Sequence, residues 1–277
     1  MLDVLRAQLY RLKKSKLFWA MIIVCAALPL IGMLFTTALL SIFSSIFEGE
    51  GGELIASLRG EGGGFTMSAF GSLTLLASNP ALFSLICSSI FLSGEFSGGA
   101  IRNMILANKS RTQIFLSFLS VALIIGFSCF GAAYATTLLG YGTVIGFGGL
   151  TATEAISGCF TSLFLGLLSV ALVQACVCLF LFWTRKTGAT VAIPIVFIII
   201  APSVMTTIVE LVVGIKMALG QSVSEIVLSW IPLANMEMLD LSNVDGGLVG
   251  KIVMYNAPIA ALLAFFGWLA ISKADLK

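Results

Sequence analysis

Histidine is absent from this chain. Its absence removes the usual ligand of haem and of zinc hydrolase centres, and the usual base of a catalytic triad. Charge is also scarce: 10% of the 277 residues are charged and 59% are hydrophobic, with a mean hydropathy of +1.09. So apolar a chain would be insoluble as a globular domain. The net charge of +2 averages over segments of opposite sign, and no basic stripe with interleaved aromatics suits nucleic acid. No stretch reads GxxxxGK[ST], so the chain lacks the phosphate-cradling loop needed to bind and hydrolyse a nucleotide itself. Of six cysteines, Cys25, Cys87, Cys129, Cys176 and Cys178 fall inside apolar runs and Cys159 at the edge of one. They read as small apolar residues, not as a disulfide framework.

The chain is dominated by six apolar runs, at about 17–42, 66–93, 114–140, 159–184, 188–214 and 252–272. Each approaches or exceeds the roughly 20 residues a helix needs to cross a hydrocarbon core. Six crossings place both termini on one side. That side collects Arg6, Arg11, Lys13, Lys14, Lys16, Arg102, Lys109, Arg111, Arg185, Lys186, Lys273 and Lys277, twelve of the fifteen basic residues, which marks it as cytoplasmic. The other side holds Glu48, Glu50, Glu53, Glu61, Glu154, Glu225, Glu237, Asp240 and Asp245, with only Arg59, Lys216 and Lys251. The fold class is therefore all-α, a polytopic membrane protein of six transmembrane helices in one domain, 1–277. The first run, about 26 residues, is too long for a signal-peptide core and is expected to remain as an anchor.

Before the first run, Leu2, Leu5, Leu9 and Leu12 recur at helical spacing, while Arg6, Tyr10, Lys13 and Lys14 point elsewhere. This predicts an amphipathic helix over 1–16 on the inner membrane surface; its cations also serve as the orientation signal for the first span. The first outer loop, 43–65, is acidic and glycine-rich, and its glutamates lack the spacing that fixes a calcium site. Pro80 in the second run and Pro258 in the sixth, each near an asparagine, mark hinges or static curvature. Gly131 with Ala135 and Gly166 with Ser169 mark places where helices can approach closely. Residues 215–251 carry helical apolar spacing mixed with acids, which suits helices in or dipping into the outer interface.

Ionisable groups within the runs are nearly absent, and Glu210 falls near the outer end of the fifth. Without buried carboxylates the chain offers no proton relay, and without intramembrane aspartates no aspartyl protease. The most patterned polar segment is the second connection, Gly94 to Ile114, on the basic side. In it Phe96, Ala100, Ile101, Met104 and Ile105 line one side of a short helix, leaving Arg102, Asn103, Asn108, Lys109 and Arg111 for water or a partner. Ser97 is placed to start that helix and Asn108-Lys109-Ser110 to end it.

This segment reads Glu95-Phe96-Ser97-Gly98-Gly99-Ala100-Ile101-Arg102 and resembles a phrase, E-[FY]-x-x-G-T-[IV]-[RK], of the permease subunits of ABC-2 type ABC transporters, with Ala100 in place of the threonine. The resemblance extends to the basic amphipathic start, the six spans and the long outer segment before the sixth. It implies a coupling helix carrying Glu95, Phe96, Gly99, Ile101, Arg102 and Asn103 that docks on a separate cytoplasmic ATPase. It likewise implies that Leu5, Arg6, Leu9 and Arg11 belong to an elbow helix, and that the outer segment forms re-entrant helices. By the same resemblance two permeases pair, ATP and magnesium sit on the partner ATPase, and no cofactor is held here. The expected function is an exporter subunit in a bacterial cytoplasmic membrane, moving amphipathic peptides, drugs or lipid-like molecules. A passive channel or scaffold is the competing expectation, although Asn79, Gln174 and Asn256 lie on three different helices and form no polar stripe. A lipid-modifying enzyme lacks a cluster of catalytic groups.

Overall fold

A computed structural model describes residues 2–46, 82–98, 101, 104, 110–144, 152–197, 204 and 246–273. The described residues are helical apart from short junctions, in seven helices and no strands: α1 (Leu2–Lys14), α2 (Lys16–Ile46), α3 (Leu82–Ser97), α4 (Arg111–Val144), α5 (Ala152–Thr184), α6 (Thr187–Ile195) and α7 (Gly246–Ser272). Helix is the form expected of apolar runs, because a single helix satisfies its own backbone groups without water. Four of the seven are long and apolar enough to cross a membrane, within α2, α4, α5 and α7. The expected second and fifth spans are represented by α3 and α6, which cover the end of the one and the start of the other. Residues 43–46, expected to open the first outer loop, continue α2 as helix; apart from these and residues 196, 197 and 204, the rest of the second and fifth runs, with Pro80, the acidic loop, Glu210 and the outer segment up to residue 245, lie outside the described residues.

α4 and α5 form the centre. Their most apolar windows are 56% and 67% buried, against 11% in α2 and 17% in α7, which flank them. The helix directions follow from the pairs that meet. Phe182 of α5 packs on Phe115 and Phe118 near the start of α4, whereas Tyr134, far along α4, donates to the Cys159 carbonyl near the start of α5, so these two helices run antiparallel. Along α7, Ile252 clusters with Leu165 and Gly267 approaches the Leu179 backbone, so α5 and α7 run parallel. Ser84 accepts from Gln174 and Phe96 meets Phe182, so α3 shares that direction.

Close packing uses glycine at specific places. A Cβ on Gly166 would overlap the Phe130 ring, and one on Gly126 would crowd Val170 and Gln174. Gly166 thus lies at the α4–α5 contact, as expected, and Ser169 is buried. Gly131 and Ala135 do not: both are exposed, and a Cβ on Gly131 meets nothing. The third expected span turns this face outward because Phe118, Ile125 and Cys129 occupy the buried one.

The connection between α5 and α6 is two residues long. Arg185 adopts φ 55°, the left-handed conformation that usually closes a helix at glycine. Lys186 is extended, and its carbonyl accepts from the Thr190 amide and hydroxyl, starting α6. Ser89 of α3 then donates to the Thr190 carbonyl and ties α6 back. α7 continues as helix through Pro258, with Asn256 buried beside it.

Candidate functional site

The candidate site is one end of the bundle, where the second connection and the N-terminal helix meet. α1 forms as the leucine spacing predicts, but its buried face is Val4, Gln8 and Leu12, with Leu5 and Leu9 at the margins. Arg6, Tyr10, Arg11, Lys13 and Lys14 are exposed. Leu5, Leu9 and Leu12 share one apolar cluster with Phe96, Ile101 and Met104 of the second connection and with Ile114, Phe115, Phe118, Phe182 and Ile271. The N-terminal helix thus packs into the base of the bundle instead of lying apart from it.

At the edge of this cluster Arg11 Nη1 donates to Glu95 Oε2 at 2.6 Å. The resemblance places the two in separate devices, Glu95 in the coupling helix, to orient it or meet the ATPase, and Arg11 in the elbow helix. Glu95 is turned inward, its side chain 10% exposed, while the Arg11 side chain remains 56% exposed. The reason is geometric: α3 runs on through Ser97, so Glu95 and Phe96 belong to its last turn and face the helices around it. Phe96 meets Phe182 edge-on at 6.0 Å between centroids. Ile101 is buried as its apolar character suggests, and Ile101 and Met104 are both helical. Gly99, Arg102 and Asn103 lie outside the described residues.

Ser110 starts the next helix: its hydroxyl accepts from the Gln113 amide and its carbonyl from Ile114, the arrangement of an N-cap. Arg111, expected to face water or a partner, donates to the Ile271 and Ser272 carbonyls at 3.3 and 2.6 Å. A guanidinium there satisfies orphan carbonyls and opposes the negative end of the α7 dipole. Trp268 reinforces the joint by donating to Thr112.

Three features of this end were missed by the sequence reading. The aromatic group around Phe182 joins α3, α4 and α5, and no spacing in one helix reveals it. The Arg111 joint links groups 160 and 161 residues apart. Gln8 is 1% exposed, and among the described residues neither its Nε2 nor its Oε1 has a hydrogen-bond partner. Its position four residues from both Val4 and Leu12 was the available signal. Among the described residues no three acidic or thiol groups converge in a metal-binding arrangement.

A family model described as ABC-2 family transporter protein matches residues 4–203, which include both helices and the connection. No curated protein and no solved structure matches the chain.

Proposed function

The chain belongs to the ABC-2 family of transporter proteins, a multi-pass membrane permease, and from that premise we propose that it is the membrane subunit of an ATP-driven exporter of hydrophobic or amphipathic cargo. In this reading residues 1–277 form one transmembrane domain of six crossings with both termini in the cytoplasm of a bacterial cell. The helix directions support that count. α2, α4 and α6 lead away from the basic end, and α3, α5 and α7 lead back to it, as six alternating crossings require.

Energy comes from a separate ATPase that carries ATP and magnesium, and a second permease copy or paralogue completes the pathway. The second connection, with Gly99, Arg102 and Asn103, meets the ATPase. Glu95, Phe96 and Ile101 hold its root, and α1, with Leu5, Arg6, Leu9 and Arg11, acts as the elbow. Pro258 and Pro80 are the positions where the spans flex. The observation that carries this reading is the Arg11–Glu95 pair: it fastens the elbow to the root of the coupling segment, so force on the loop reaches both the first span and the second.

The test is purification of the tagged chain in mild detergent, with identification of co-purifying proteins and an ATPase assay. Recovery of a P-loop ATPase with the wild type, weakened by Arg102→Ala with Asn103→Ala while the permease remains monodisperse, is the expected result. Failure to recover any ATPase under several mild conditions overturns the exporter reading in favour of a passive channel or scaffold.

A further inference from the structure

The junction of α1 and α2 carries three lysines within four residues, Lys13, Lys14 and Lys16, all exposed. Among the described residues no acidic group pairs with them; Glu95, an acid at this end, is turned inward and taken by Arg11. Two aromatic side chains frame the junction. The Lys14 ammonium lies 4.6 Å over the Tyr10 ring. Trp19 donates its indole N–H to the Lys13 carbonyl at 2.9 Å, which lays the half-exposed ring against the break between the helices. Tyr and Trp with one wet and one apolar edge sit at the headgroup level of a bilayer.

These cations continue directly into an apolar track. Lys16, Trp19, Ile23, Leu30 and Leu34 are spaced three, four, seven and four residues apart, one face of a helix, and all are exposed. α2 is the least buried of the candidate spans, and this face is left open by the bundle of the single chain. A soluble protein could match the lysines but has no use for the track above them. An occupant that matches both has an anionic head and long apolar chains.

We infer that the α1–α2 junction is a binding site for an anionic phospholipid, its phosphate held by Lys13, Lys14 and Lys16 and its acyl chains laid along Trp19, Ile23, Leu30 and Leu34. Juxtamembrane lysines attract anionic headgroups electrostatically, and the attraction weakens with salt. The lipid anchors the elbow at the membrane surface through the face that the bundle leaves open. No ATPase takes part in this binding.

The test uses the full-length chain in detergent, titrated with dioleoyl phosphatidylglycerol or dioleoyl phosphatidylcholine and read by native mass spectrometry. The expected result is a preference for phosphatidylglycerol that falls about fivefold for each lysine changed to glutamine, falls further in 0.5 M salt, and survives Lys→Arg at the same three positions. An Arg185→Gln, Lys186→Gln variant, altered at another cationic turn, retains the preference. Equal binding of the two lipids by the wild type overturns the inference, as does a preference unchanged by the triple glutamine substitution. If that variant binds lipid normally but loses a co-purifying ATPase, the lysines serve a protein partner and the lipid site is wrong. Absence of any ATPase would instead overturn the exporter reading and leave the lipid titrations unaffected.

Discussion

Arg11 and Glu95 are 84 residues apart in the chain, and their side chains form an ion pair at 2.6 Å. One belongs to the helix that precedes the first span and the other to the last turn of α3, so a single contact closes the base of the bundle. The two partners contribute unequally. The carboxylate has little water to fall back on, whereas the Arg11 side chain keeps more than half its exposure, which moderates what the pair contributes.

Removing the cation therefore costs more than removing the anion. Arg11→Gln leaves a mostly buried carboxylate without its partner and is expected to lower stability by about 1–2 kcal/mol, with Glu95→Gln costing less. The double substitution Arg11→Glu, Glu95→Arg should recover part of the loss. Thermal unfolding in detergent of the two singles and the swap decides it; equal losses without recovery mean that the pair is incidental.

Gln8 is the opposite case, a polar group whose burial is uncompensated. Gln8→Leu replaces an amide whose two polar atoms are unpartnered among the described residues by an apolar side chain on the face formed by Val4 and Leu12. The variant is expected to gain about 1–3 kcal/mol, seen as a higher unfolding temperature and slower proteolysis of α1. A destabilised variant would show that the amide has a partner in the working protein.

The α4–α5 contact depends on the missing side chain at Gly166. Gly166→Ala places a methyl group where the Phe130 ring lies and is expected to cost about 1–3 kcal/mol. Phe130→Leu in the same chain should relieve most of that. Comparison with Gly131→Ala supplies the control: that position opens on empty space, and its unfolding temperature should hold or rise slightly, because alanine loses less entropy than glycine in a helix.

Arg185 holds a left-handed conformation between α5 and α6, which costs a non-glycine residue about 1–2 kcal/mol. Arg185→Gly is expected to relieve that strain, offset by the entropy glycine loses on folding and by the contacts the arginine makes. A small net gain in unfolding temperature supports the strained turn. A loss comparable to a buried-core substitution means that the side chain's contacts outweigh the backbone.

The Phe96, Ile101 and Leu12 positions show what was legible beforehand. Helical spacing placed Leu5, Leu9 and Leu12 on one face and assigned Phe96, Ile101 and Met104 to one side of the second connection, and all of them join a single cluster. Spacing predicts which side of an element is apolar because that depends only on the helical repeat. It does not predict which other element covers that side. Hence Arg111, read as available to water or a partner, also binds the end of α7, and Glu95, placed by spacing on no particular neighbour, meets Arg11. The Gly131–Ala135 pair fails for the same reason: small residues permit close approach without requiring it.

What the sequence determined by itself is the helical class, the approximate places of the long apolar elements, the alternation of charge and the family motif at Glu95-Phe96. Those properties are local, fixed by run length, by residue type and by the cost of an unpaired backbone in an apolar medium. Only the tertiary structure decided that α4 and α5 are central while α2 and α7 flank them, that Gln8 is buried without a partner among the described residues, and that Arg11 meets Glu95. These depend on which faces win the limited packing surface, and that competition among whole helices has no expression in the pattern of any one of them.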